Sequence, residues 1–162
     1  MIDKSTKTLT RAAILLAVAL VFQFVKMGQL VTGSGINAAL IVAAQICGLP
    51  WAAAIGAITP FMSVVLGVNP PALIPVVPFI VAGNILYVAV YSILKTKGKI
   101  MGVGFAALLK FGLLYSAVNY FVAVKPPIKV ALSFPQLFTA LIGGAVALII
   151  IQVLNRINEA EK

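Results

Sequence analysis

The sequence predicts an all-α integral membrane protein, a single domain over residues 1–162 forming one bundle of six transmembrane helices with both termini cytoplasmic. Three observations carry that prediction. Hydrophobic residues make up 62% of the chain and charged residues 9%, with a mean hydropathy of +1.15, whereas soluble domains are about 45–50% apolar and about 25% charged. Glycine, proline and lysine clusters divide the chain into apolar segments that leave room for roughly six spans of about 20 residues and for no soluble domain. The basic residues gather mainly at alternate ends of those segments.

Taken in order, the first predicted helix covers residues 9–27, after the basic start MIDKSTKTLTR. Its apolar run is too long for a signal peptide and no convincing small-x-small cleavage site follows, so it reads as a retained span. The polar, glycine-containing GQLVTGSG at 28–35 reads as the loop that ends it. A short second helix, 36–48, turns through GLPW into a third, 51–68, kinked or widened near Pro60. About 13 to 17 residues reach only about 20–25 Å, so helices two and three either span or form a re-entrant hairpin; both return the chain to the same side. NPPALIPVVP at 69–78 is too rich in proline for regular helix, which delays the fourth helix to 75–94. KTKGK at 95–99 is a turn, 101–124 the fifth span, KPPIK at 125–129 a second turn, and 134–154 the sixth span. There is no internal repeat or low-complexity tract.

Orientation follows from charge. With the N-terminus inside, the cytoplasmic segments hold Lys4, Lys7, Arg11, Lys95, Lys97, Lys99, Arg156 and Lys162, against Lys26, Lys125 and Lys129 outside, as the positive-inside rule requires. The acids Asp3, Glu159 and Glu161 all fall inside, so no carboxylate lies in the membrane or beyond it. Cations scattered between apolar segments form no patch for nucleic acid. With no His and one cysteine, Cys47, there is no disulfide framework within the chain and no His-based metal or catalytic site. Ser63, Ser116 and Cys47 have no base to activate them. The chain therefore reads as a non-enzyme without a metal or cofactor.

Small residues recur at helical spacing: Ala13 and Ala17 on the first helix, Ala52, Gly56, Thr59 and Ser63 on the third, and Ala140, Gly143, Gly144 and Ala147 on the sixth. Such stripes let helix backbones approach closely in lipid, and ordinary packing is their first explanation.

TRAAILLAVAL with its A-x-x-x-A, the short second helix turning through GLPWAAAIGAITPF, and FIVAGNILYVAVY on the fourth helix together resemble the substrate-binding S components of energy-coupling factor (ECF) transporters. The resemblance covers nearly the whole chain. It implies the six-helix S-component bundle in the cell membrane of a prokaryote, capturing a vitamin or other micronutrient in a pocket near the outer face, under the loop joining helices one and two. It also implies a partner: the helix-one alanine motif packs on a transmembrane T component that carries two ATPases, and the S component topples to release substrate inside. Carried over, Ala13 and Ala17 become the docking face, and Gln29, Thr32, Gly33, Ser34 and Gly35 the gating loop, with its glycines, Gly28 included, allowing movement. No G-x-x-x-x-G-K-[ST] loop occurs, so ATP hydrolysis belongs to the partners.

Polar side chains in the outer half of the bundle are costly to bury without partners, so they point to a ligand or to interhelical bonds. These are Gln23, Lys26, Asn37, Asn84, Tyr115, Asn119, Tyr120 and Gln136. Tyr87 and Tyr91, nearer the inner interface, read as belt or packing aromatics. Lys110 shares a helix face with Ala106, Ala107, Leu114, Ala117 and Phe121, opposite the stripe of Gly112, Tyr115, Ser116 and Asn119, at a depth of roughly 13 Å. Three readings stand: a lysine that snorkels to the interface or faces a partner, which carries most weight; a pocket-floor lysine that pairs with an anionic substrate; and neutral burial.

The absence of any outer acid disfavours thiamine-like cations. Nickel and cobalt are disfavoured too, since the family's metal members use histidines, one directly after the initiator Met, where this chain has Ile2. Lys26, Lys125 and Lys129 would draw an anion to the outer mouth. The expected ligand is a neutral or anionic small molecule. The alternative, a stand-alone secondary carrier or ion-translocating subunit using Lys110, usually needs several ionisable groups along a path and an inverted repeat.

Overall fold

The computed structural model describes residues 3–25 and 27–160. The helices are α1 (Lys4–Val25), α2 (Gln29–Ile46), α3 (Leu49–Val65), α4 (Val77–Leu94), α5 (Lys99–Ser116), the short α6 (Pro126–Ala131) and α7 (Phe134–Ala160). A 3₁₀ segment, Pro71–Val76, leads into α4, and a π turn, Ala117–Phe121, ends α5. Among the described residues five segments are long and apolar enough to cross a membrane: Lys4–Val25, Gln29–Ile46, Pro71–Leu94, Lys99–Phe121 and Pro126–Ile157; Leu49–Val65 is a shorter apolar helix.

The helix α2 is the axis of the bundle. It packs on α1, α3, α4 and α7, and every residue from Asn37 to Ala44 is buried, as expected of a helix that is apolar on all sides. Its start corrects the sequence reading. The stretch expected to be a loop at 28–35 is helical from Gln29, and only Gly28, with φ +82°, turns the chain. Gly33 and Gly35 serve close packing: a Cβ at Gly33 would stand 2.8 Å from Thr139 Cγ2, and one at Gly35 would strike the Phe22 ring. With those turns added α2 reaches 18 residues, enough to cross about 27 Å.

The other stripes of small residues behave as packing predicts. On α3, a Cβ at Gly56 would crowd Asn84 Cβ at 2.9 Å; on α7, Gly143 abuts the Ser34 carbonyl and Asn37 of α2, and Gly144 abuts Val103 of α5. Ala13 and Ala17, by contrast, are exposed on α1. Tyr87 and Tyr91 are fully buried, so they are packing residues and not a belt. The Tyr87 hydroxyl donates to the Ala140 carbonyl at 2.7 Å, tying α4 to α7, and Tyr91 donates to Gln45 Oε1 at 3.2 Å.

The prolines at 126 and 127 do not make a plain turn. They open α6, where a proline's missing N–H is no loss, and Leu132 just beyond it joins Val76 and Val118 in a small core of their own. That second core holds α6 and the 3₁₀ segment over one end of the bundle.

Candidate functional site

At that end, where α1 finishes and α2 begins, the bundle holds a half-open cavity of about 440 Å³. Its volume lies within the range of small-molecule sites, about 300–1,000 Å³. The first turns of α2, the last turns of α3, the 3₁₀ segment and upper α4 form its walls; α6 covers it; Lys110 of α5 closes it below.

The floor is built from one cation and two carboxamides. Lys110 is 3% exposed, and its Nζ donates to Asn37 Oδ1 at 2.6 Å and to Asn84 Oδ1 at 2.8 Å. It also lies 5.2 Å from the centroid of the Tyr87 ring, within cation–π range. Two amide oxygens and an aromatic face are electron-rich partners that favour the ammonium form. The expected weight on a snorkelling or partner-facing Lys110 is thereby corrected. Ala106, Ala107, Leu114 and Ala117 are all buried with it, so this face of α5 points into the bundle, and the side chain ends on amides from α2 and α4.

Pro60 explains why Asn84 points the way it does. In α3 the N–H of residue 60 would serve the Gly56 carbonyl, but proline has none. Asn84 Nδ2 donates to that bare carbonyl at 2.8 Å. With its nitrogen committed to α3, the amide must present Oδ1 to Lys110. Asn37 is oriented in the same sense, its Nδ2 lying 3.5 Å from Thr139 Oγ1.

No carboxylate among the described residues balances this charge. Asp3 and Glu159 sit in exposed positions at the chain ends. Higher in the cavity, Gln23 is 7% exposed and its Oε1 has no hydrogen-bond partner, an acceptor left without a donor in an apolar surround. At the roof, Gln29 Nε2 donates to the Ala131 carbonyl at 3.2 Å, joining the start of α2 to the end of α6.

Of the residues singled out from the sequence, Gln23, Asn37, Asn84, Lys110 and Gln136 meet on the cavity wall, together with Gln29, Thr32 and Gly33. Ser34 is buried and Gly35 is covered by Phe22, both away from that wall. Tyr115, Asn119 and Tyr120 do not line it. Tyr115 stacks with Phe111 and Phe134, Asn119 donates to the Tyr115 carbonyl, and Tyr120 is 77% exposed. Lys26 lies outside the described residues.

The sequence reading missed Thr59, Ser63 and Asn69, which also line the cavity. The signal for Thr59 and Ser63 was present in the α3 stripe: the hydroxylated members of a small-residue face are those that look onto the void. Each donates to its own helix, to Ile55 O at 3.0 Å and Pro60 O at 2.7 Å, which leaves their oxygens as acceptors.

The family model for "ECF transporter, substrate-specific component" matches residues 7–155. No curated protein and no solved structure matches the chain.

Proposed function

We propose, from the premise that the chain belongs to the family of substrate-specific components of ECF transporters, that it is the binding subunit of an ATP-driven micronutrient importer in a prokaryotic cell membrane. A neutral or anionic small molecule enters from the outer face and is held in the cavity beneath α6. The floor of that cavity carries the reading: an uncompensated cation, Lys110, fixed by Asn37 and Asn84. Isolated charge in the interior of a membrane bundle is expensive and marks function.

In this reading Gln23, Gln136 and Thr32 bond the ligand, and Thr59 and Ser63 offer acceptors from α3. The roof contact between Gln29 and Ala131 parts to admit it. Ala13 and Ala17 form the exposed strip on which the T component docks, and two ATPases bound to that component supply the energy. The basic ends of α1, α4 and α7 face the cytoplasm. A proton or ion path is poorly served, because Lys110 is the only charged residue among the described residues that are buried.

Co-expression with a T component and two ATPases tests the proposal. The expected result is a complex that co-purifies and, in liposomes, takes up substrate only when ATP is supplied. A chain that fails to assemble, or that transports alone on an ion gradient, refutes it.

A further inference from the structure

We infer that the substrate is an aliphatic monocarboxylate bearing hydroxyl or amide groups; the inference deepens the importer reading above and rests on it for the choice of cavity. Three features of the wall lead there.

Among the described residues no aromatic side chain lines the cavity. Its apolar surface comes from Ile36, Val64, Val68, Leu73, Ile80 and Ile128, branched chains that pack on methylenes. A flat heteroaromatic vitamin gains from stacking on aromatic rings, and here the neighbouring rings are engaged elsewhere: Phe111, Tyr115 and Phe134 with one another, Tyr87 beneath Lys110. The wall suits a saturated skeleton.

The charge at the floor is a single ammonium. Two of its hydrogens go to Asn37 and Asn84, and no protein oxygen accepts the third among the described residues. One monoanion neutralises it. A dianionic phosphate would leave an excess negative charge at the floor, where Lys110 is the only cation among the described cavity residues. A cationic ligand would meet repulsion with no acid to offset it.

Above the floor the wall supplies acceptors. Thr59 and Ser63 line the cavity and spend their own hydroxyl hydrogens on Ile55 O and Pro60 O, so their oxygens are left to accept from a ligand N–H or O–H. A plain fatty acid has no such donor. The combination of carboxylate at one end, saturated carbon between, and a hydroxyl or amide N–H toward α3 matches all three features.

The test uses the full chain in lipid nanodiscs, exposed to a small-metabolite extract, washed, and analysed by mass spectrometry for retained compounds, with Lys110→Met and Lys110→Arg alongside. The expected capture is a non-aromatic acid with at least one hydroxyl or amide, reduced about tenfold or more by Lys110→Met and less by Lys110→Arg. If Lys110→Met does not fold, the captured acid is converted to its neutral methyl amide and offered to the wild-type protein, which should bind it at least about tenfold more weakly. Capture of an aromatic, phosphorylated or cationic compound, an empty eluate, or equal binding of acid and amide overturns the inference. Assembly with the T component, measured on the same preparation, reports the importer reading separately.

Discussion

Asn84→Ala removes two bonds at once, and the structure separates them. The first runs from Nδ2 to the Gly56 carbonyl at 2.8 Å, the second from Lys110 to Oδ1 at 2.8 Å. Leaving a buried carbonyl bare costs about 1–3 kcal/mol, and losing a hydrogen bond to a charged group costs about 1.5–3 kcal/mol. The single substitution should therefore destabilise the bundle by roughly 2.5–6 kcal/mol. Only the first part depends on Pro60. Pro60→Ala restores an N–H facing the Gly56 carbonyl, so in that background Asn84→Ala should cost only about 1.5–3 kcal/mol. The coupling between the two sites is then about 1–3 kcal/mol. Equilibrium unfolding of the four proteins in mixed micelles, titrated with a denaturing detergent and followed by helical signal, measures it. Effects that add within about 0.5 kcal/mol would show that Pro60 does not direct the amide.

Three further outcomes can be checked. Gly143→Ala would place a methyl against the Ser34 carbonyl and 2.7 Å from Asn37 Cβ; the same unfolding assay should register a loss of about 1–3 kcal/mol, whereas Gly112→Ala, with nothing within 4 Å, should be neutral or gain up to about 1 kcal/mol. Replacing both Ala13 and Ala17 with Leu on an exposed face should change stability by no more than about 0.5 kcal/mol yet abolish co-purification with the T component; undisturbed assembly would exclude this face as the contact. In a Cys47→Ser background, a cysteine at Pro127 should react with an impermeant thiol reagent added outside intact cells, and one at Lys97 only after permeabilisation. The reverse pattern would invert the orientation derived from the basic residues.

Hydropathy and punctuation were enough to place the long helices, and the stripes on α3 and α7 identified faces that do pack closely. The stretch GQLVTGSG was misread for a physical reason. Glycine and serine signal a loop in water, but between helices in lipid they are the residues that permit contact. Tyr115, Asn119 and Tyr120 were assigned to the pocket because they lie in the outer half of the bundle, but depth alone does not say which way a side chain faces: the helical period sets Tyr115 and Asn119 opposite Lys110, and Lys110 is the one that reaches the cavity. Lys110 was assigned to the correct face of α5, with small apolar neighbours. What covers that face could not be read, because Asn37 and Asn84 arrive from 73 and 26 residues away. Pro60 announced a gap in the α3 ladder; that Asn84 fills it is information held only by the fold.

Placing the floor cation within the thickness of the membrane has an electrical consequence. An elementary charge carried across the whole bilayer exchanges about 2.3 kcal/mol with each 100 mV of membrane potential, and a charge at intermediate depth responds in proportion to the fraction it traverses. If the empty bundle reorients with Lys110 charged, it would do work on or draw work from the voltage. A bound monoanion would cancel that moment, so cargo-laden and vacant forms would answer to the cell's voltage differently.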